Sequence, residues 1–296
     1  MLSGKQLQKL GKRLRAEADK EDLAVLNAYR RWFDPTLLEA ALQINHAFGR
    51  AETPYLLSGR AKRSKSVIRK LVRSPNMDLG RMTDIVGLRI VVDDLDAQRR
   101  VERDLPQVFE LERWVDYRGE EHLYRALHAH GRIDGRRFEV QVRTLAQQVW
   151  ADESESFGEQ AKEGRASPAQ DAYLRELSRA FFAIEQGLAP PPLETSIAHA
   201  RRPIDLRLNG MREIFAQVAA PMPEGQDHTM LVVHDEQLNE LTRRTDYCLE
   251  DREEALAEYE RLMSQLEQSR FSVLLLNARS WESLKVTHPR FFSGVG

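Results

Sequence analysis

Asp84-Ile-Val-Gly-Leu-Arg-Ile-Val-Val92 decides how this chain is read. Residues 86–92 are almost wholly aliphatic, which fits a buried strand. A carboxylate introduces the strand and one guanidinium interrupts it. A guanidinium is rarely buried without a partner. Arg89 therefore either pairs with a carboxylate such as Asp84 or Glu139, or contacts a ligand. Downstream, Glu139-Val-Gln-Val-Arg143 alternates, so strand periodicity puts Val140 and Val142 on one face and Glu139, Gln141 and Arg143 on the other. Such a polar row either lies on an exposed sheet face or floors a cleft. Upstream, Arg60, Lys62, Arg63, Lys65, Arg69, Lys70 and Arg73 fall within fourteen residues that contain no acid. With residues 61–73 read as a helix, Val67, Ile68, Leu71 and Val72 share one face and most of the cations the other.

Uncompensated cations on an anchored helix suit a polyanion, either a nucleic-acid backbone or a nucleotide triphosphate. The chain contains no G-x-x-x-x-G-K-[ST] and no G-x-G-x-x-G, so backbone amides of a glycine-rich loop are not the phosphate cradle. Side chains have to do that work. Asp84 and Glu139 are a carboxylate pair of the kind that binds Mg2+ together with substrate phosphates.

Around these segments, residues 5–48 read as helices interrupted at Pro35, and residues 145–156 and 169–186 as further helices. Gly187-Leu-Ala-Pro-Pro-Pro192, followed by Pro203, marks a linker at 187–204, because successive prolines lack backbone donors and favour extended chain. Beyond it, 229–233 and 271–276 read as strands and 251–269 as a helix with its acids at the N-terminal end. The domain expectation is therefore 1–186, a Pro-rich linker 187–204, and a small α/β accessory or regulatory module at 205–296. Overall the class is α/β, a mixed sheet flanked by helices.

The 296 residues carry 44 Lys+Arg against 46 Asp+Glu, with one Cys. This balance excludes a bulk polycation that coats nucleic acid, and one cysteine excludes a disulfide scaffold. The average hides a division: residues 1–204 sum to +4 and residues 205–296 to −6. The start has no apolar run after its basic residues, and no segment is long enough to span a bilayer, so a cytoplasmic protein is expected. His128-x-His130 has a spacing seen in metal sites, a weak signal taken alone.

Taken in order, Arg60 to Arg73, Asp84 to Arg89, Asp116-Tyr117, Tyr124 to His128, Glu139 to Thr144 and Trp150-Ala151 resemble the motifs of the RelA/SpoT-type synthetase domain, the alarmone synthetases. The resemblance covers about residues 45–165. It implies a nucleotidyltransferase-like synthetase fold and an ATP- and Mg2+-dependent pyrophosphokinase that transfers the β,γ-pyrophosphate of ATP to a ribose 3′-hydroxyl, with GDP or GTP as default acceptor. Carried over position by position, Arg60 and Arg89 would sandwich the adenine, and Lys62, Ser66 and Lys70 would bind the ATP phosphates. Asp84 and Glu139 would be the catalytic, Mg2+-holding carboxylates, with Glu139 also activating the acceptor hydroxyl. Tyr124 would stack on the acceptor base, with His128, Gln141 and Arg143 completing that side.

The acceptor loop departs from the family pattern D-Y-x-x-x-P-K-x-x-G-Y-x-S-x-H. Here DYRGEEHLYRALH, residues 116–128, is two residues shorter, lacks the Pro-Lys pair, and carries Glu120 and Glu121 where an acceptor phosphate would meet lysine. The usual downstream Glu-His pair is Glu155-Ser156. Like charges oppose phosphate binding. Two alternatives follow. One is the same transfer to an adenosine nucleotide or to the tRNA 3′ end, with Lys5, Lys9, Lys12, Arg13 and Arg15 as surplus basic surface. The other is a catalytically silent nucleotide-binding module. The eight histidines form no hydrolase set. The C-terminal module would offer a surface for a protein partner or for homo-oligomerisation, or a lid over the basic cleft.

Overall fold

A computed structural model describes residues 2–48, 53–157, 166–219, 228–235, 237–238, 240–248, 251–266, 270–278 and 280–288. The strands are β1 Leu56–Ala61, β2 Val86–Val92, β3 Leu111–Asp116, β4 Leu127–Ile133, β5 Arg136–Thr144, β6 His228–Asp235, β7 Glu240–Cys248 and β8 Phe271–Ala278. The helices are α1 Gly4–Ala16, α2 Lys20–Arg31, α3 Asp34–Phe48, α4 Ser64–Arg73, α5 Leu95–Asp104, α6 Leu145–Ser156, α7 Pro168–Glu185, α8 Ser196–His199, α9 Ile204–Val218, α10 Arg252–Gln265 and α11 Trp281–Thr287. All the strands join one mixed sheet in the order β3-β4-β5-β2-β1-β8-β6-β7. The pair β2–β5 is parallel and the other neighbouring pairs are antiparallel.

Local chemistry sets these boundaries. Pro35 begins α3 rather than breaking a helix, since its missing N–H is wasted in a first turn anyway. Thr144 ends β5 and caps α6 in a reciprocal capping box with Gln147, and Ser167 caps α7 in the same way with Gln170. Asp134 and Gly135 have φ values of 49° and 75°, and they form the two-residue turn between β4 and β5. The residues expected to open a helix at 61 instead continue β1: the Lys62 amide donates to the Ile85 carbonyl, and α4 starts at Ser64. On α4, Val67 and Leu71 are buried as expected, whereas Val72 is 54% exposed.

One face of the sheet presents Leu57, Leu88, Ile90, Leu127, Val140 and Val142 to the N-terminal helices. A Cβ on Gly59 would lie 2.8 Å from Leu37 Cδ1, so glycine lets α3 approach β1 closely. On the opposite face, Leu56 and Val91 pack beneath Val149, Trp150, Leu177 and Phe181 of α6 and α7.

Strands from both sides of the proline-rich stretch share the sheet, because β8 pairs with β1 through Ser58–Ala278, Gly59–Asn277 and Arg60–Leu276. The stretch itself is fastened at its far end. Glu176 accepts from the backbone N–H groups of Glu194 and Thr195, and Arg201 pairs with Glu153 at 2.8 Å. β7 escaped the sequence reading because its side chains are largely exposed and polar, the pattern of an edge strand. Residues 267–269, the end of the helix expected at 251–269, lie outside the described residues.

Candidate active site

The polar face of the central strands collects the candidates. Register places Arg60 beside Gly87, Arg89 between Ser58 and Gln141, Glu139 between Gly87 and His130, and Gln141 beside His128. Neighbours across a ladder share a face, so one surface carries Arg60, Arg89, His128, His130, Glu139, Gln141 and Arg143.

Helix α4 borders this face and is clamped at both ends. Arg30 of α2 donates to the Ser64 hydroxyl at 3.0 Å, and Arg15 of α1 donates to the Leu71 carbonyl at 3.0 Å. Its first turn contains no acid and its N-cap makes no side-chain hydrogen bond. Lys62 and Lys70 converge on one oxygen, donating to Asp84 Oδ2 at 2.6 and 2.8 Å. Ser66 sits one turn before Lys70 and so faces the same side. Burial pushes the Asp84 carboxyl up, but the two ammonium groups outweigh it and hold the group down at about 2. Burial lowers Lys62 against the attraction of Asp84. The other oxygen, Asp84 Oδ1, is buried and has no hydrogen-bond partner.

Glu139 is 6% exposed, and its Oε1 accepts from His128 Nδ1 at 2.5 Å. Burial raises this carboxyl, the His128 contact more than offsets that, and the group stays below its ordinary range while Asp84 pushes the other way. The chain of contacts continues outward. His128 Nε2 lies 2.8 Å from the Tyr124 hydroxyl, which also accepts from Arg143 at 2.8 Å, and Arg143 donates to Gln141 Oε1 at 3.0 Å. The Arg143 guanidinium lies over the Tyr124 ring, 5.4 Å from its centroid, so a base stacking on Tyr124 would use the other face. The four expected acceptor-side residues are thus one bonded group.

Arg89 takes neither carboxylate partner suggested for it. Asp84 is held by the two lysines and Glu139 by His128, and Arg89 instead donates to the Thr287 carbonyl at the end of α11. Burial, then Arg143, pull its pKa down to about 10, against the attraction of Glu155, Asp152 and Tyr124. His288 follows directly. Burial, then Arg89 and Arg60, hold it well below the ordinary histidine value, so it is neutral. The end of α11 therefore lies against the arginine pair on which the resemblance places adenine.

The loop before β4 is fixed from beneath. Arg125 and Glu185 form a 2.5 Å ion pair with side chains 3% and 4% exposed. Arg118 is engaged by Asp116 and Glu102, while Glu120 and Glu121 are exposed. Of the N-terminal basic run, Arg13 pairs with Asp22 and Arg15 caps α4, which removes two of the five charges suggested for an RNA surface. Sequence reasoning gave no site role to Asp152, Thr287 or His288, and to His130 only a weak metal signal from its spacing to His128. Strand alternation from His128 could have brought in His130, whereas nothing local marks Thr287.

Clustered cations, two carboxylates and a hydrogen-bonded polar group thus share one face of the mixed sheet of an α/β protein. Residues 59–158 match the family segment described as "Region found in RelA / SpoT proteins". An uncharacterized protein of Mycobacterium tuberculosis is 36% identical over 101 residues, which are 33% of this chain and 37% of that protein's length. Among solved structures, the small alarmone synthetase 1 of Bacillus subtilis bound to its product pppGpp is 22% identical (TM-score 0.48, covering 54% of this chain and 94% of that one). A GTP pyrophosphokinase family protein of Streptococcus pneumoniae is 19% identical (TM-score 0.46, covering 68% and 98%). No helix among the described residues is long and apolar enough to cross a membrane.

Proposed function

We propose that the chain is a pyrophosphokinase that moves the β,γ-pyrophosphate of ATP to the 3′-hydroxyl of a nucleotide, with GDP or GTP as the default acceptor. The observation that carries this reading is the convergence of Lys62 and Lys70 on Asp84 beside the buried Glu139–His128 pair. The two ammonium groups are positioned to leave Asp84 for the donor phosphates, with Ser66 on the same side of α4. The 3′-oxygen forms its bond to the β-phosphorus while the bond from that phosphorus to the α,β-bridging oxygen breaks. AMP leaves with the bridging oxygen, and the hydroxyl proton passes to Glu139, ionised by its contact with His128. Asp84 Oδ1, buried without a hydrogen bond, and Glu139 are hard oxygen donors that fit Mg2+, which would neutralise phosphate charge there. Tyr124, His128, Gln141 and Arg143 would orient the acceptor. Exposed Glu120 and Glu121 work against a highly charged 5′ end.

Residues 205–296 are read as the regulatory part of the same enzyme. Thr287 and His288 lie at Arg89 and Arg60, so the adenine can reach these arginines only after the end of α11 moves. That coverage also favours a second reading, a module that binds nucleotide without transfer. Incubation with γ-labelled ATP, Mg2+ and GDP, GTP, AMP, ADP or tRNA separates the possibilities. Label in a guanosine nucleotide is expected, and label in AMP, ADP or tRNA reassigns the acceptor. Binding of an ATP analogue without any transfer selects the silent module.

A further inference from the structure

Beside the oxygen pair lies a second donor set of different chemistry. β4 carries His128 and His130 on one face, and the β4–β5 register sets His130 opposite Glu139. One ring nitrogen from each histidine and one oxygen of Glu139 all lie within 4.8 Å of one another. His130 is 5% exposed, and its Nδ1 is buried with no hydrogen-bond partner. A nitrogen left idle in a core is costly, and the strand register sets this ring beside Glu139. The contact between His128 Nε2 and the Tyr124 hydroxyl turns Nδ1 of that ring toward Glu139, the kind of outer contact that orients metal-ligating histidines.

We propose that His128, His130 and Glu139 form a binding site for a first-row transition-metal ion of the Zn2+ class, separate in chemistry from the Asp84–Glu139 oxygen pair. Two imidazoles and a glutamate make a donor set used by zinc, whereas Mg2+ prefers oxygen alone. Donors around a tetrahedral Zn2+ stand roughly 3.3 Å apart, so the set closes by side-chain rotation on rigid strands. The ion takes the place of the proton that His128 Nδ1 shares with Glu139, and the neutral ring then carries its N–H on Nε2, where it donates to the Tyr124 hydroxyl. The site does not depend on pyrophosphate transfer. Where transfer occurs, Glu139 is common to both sets, so an ion held by the imidazoles withdraws it from the reaction and inhibits.

Co2+ titrated into the purified, metal-free full chain tests this through its visible absorption. The expected result is a band that saturates at one equivalent, is displaced by Zn2+, survives excess Mg2+, persists in Asp84→Asn and vanishes in His130→Gln. No band, a band removed by Mg2+, or a band unchanged in a folded His130→Gln protein overturns the proposal. Should His130→Gln fail to fold, X-ray absorption of the Zn2+-loaded wild type decides instead: two imidazole ligands are expected, and fewer than two reject the site. Transfer activity enters none of these readouts, so this site and the transferase reading succeed or fail separately.

Discussion

The two halves of the proposed site are built in opposite ways. On the phosphate side, Lys62 and Lys70 reach Asp84 across 22 and 14 positions of chain, and the helix between them presents the cations by its own periodicity. On the base side, Arg89 donates to the Thr287 carbonyl, 198 positions away. The first half is a local motif mounted on a strand edge. The second exists because β8 pairs with β1 and delivers α11 to the sheet. A cation–carboxylate cluster encoded locally thus lies beside a cover encoded far away, so each can be perturbed by its own substitutions.

The largest expected effect is on the phosphate side. Glu139→Gln keeps the shape but loses the carboxylate that takes the proton, and labelled-ATP assays should show transfer reduced by about 10³-fold. Equal rates in variant and wild type would falsify the proposed chemistry. Arg125→Ala strands the buried Glu185 carboxylate and should lower stability in urea unfolding by about 3–5 kcal/mol, loosening the loop that leads into Tyr124.

Asp84→Asn leaves two ammonium groups facing each other without a counter-charge and should cost about 2 kcal/mol at neutral pH. The sign with pH follows from the depressed carboxyl. Its stabilisation is present in full above about pH 4, where the unfolded group is also ionised, and is lost as pH falls through about 2. The gap between wild type and variant should therefore close below pH 4. A gap that stays constant from pH 6 to pH 2 would mean the lysines do not depend on Asp84.

On the base side, Val286→Ala removes a side chain 1% exposed in the core that holds α11. It should cost about 1 kcal/mol and raise affinity for an ATP analogue by up to roughly fivefold, because the covered state loses that stabilisation. Unchanged or weaker analogue binding would show that the cover does not oppose the donor. A smaller effect is expected at Asp34, where burial pushes the carboxyl up to about 7 against the attraction of Arg30 and Arg31. The folded state holds this proton longer than the unfolded state, so Asp34 weakens the fold as pH rises from 4 to 7. Asp34→Asn should gain roughly 1 kcal/mol at pH 8 and nothing at pH 4.

Legibility in the sequence followed the range of the interactions. Strand β2, the alternation of β5 and the cationic face of α4 depend on period and composition, and they could be read residue by residue. β1 was hidden because Leu56–Ala61 reads as strand only once Ile85 and β2 are beside it. β7 was hidden by its polar edge. The prolines at 190–192 and 203 carry no sign that Glu176 and Glu153 fasten the stretch between them. Lys62, Lys70, Asp84 and Glu139 stood out by type and spacing, whereas the weak spacing signal of His130 gained a third donor only when strand pairing set it opposite Glu139.

What the sequence determined by itself was the α/β class, the cation-rich helix and the carboxylates, because these follow from side-chain periodicity and the cost of burying charge. Tertiary structure alone decided the partner of Arg89, the coverage of the base side and the grouping of His128, His130 and Glu139. Each of those depends on which strands become neighbours, a choice made by the packing of the whole sheet and invisible to any local pattern.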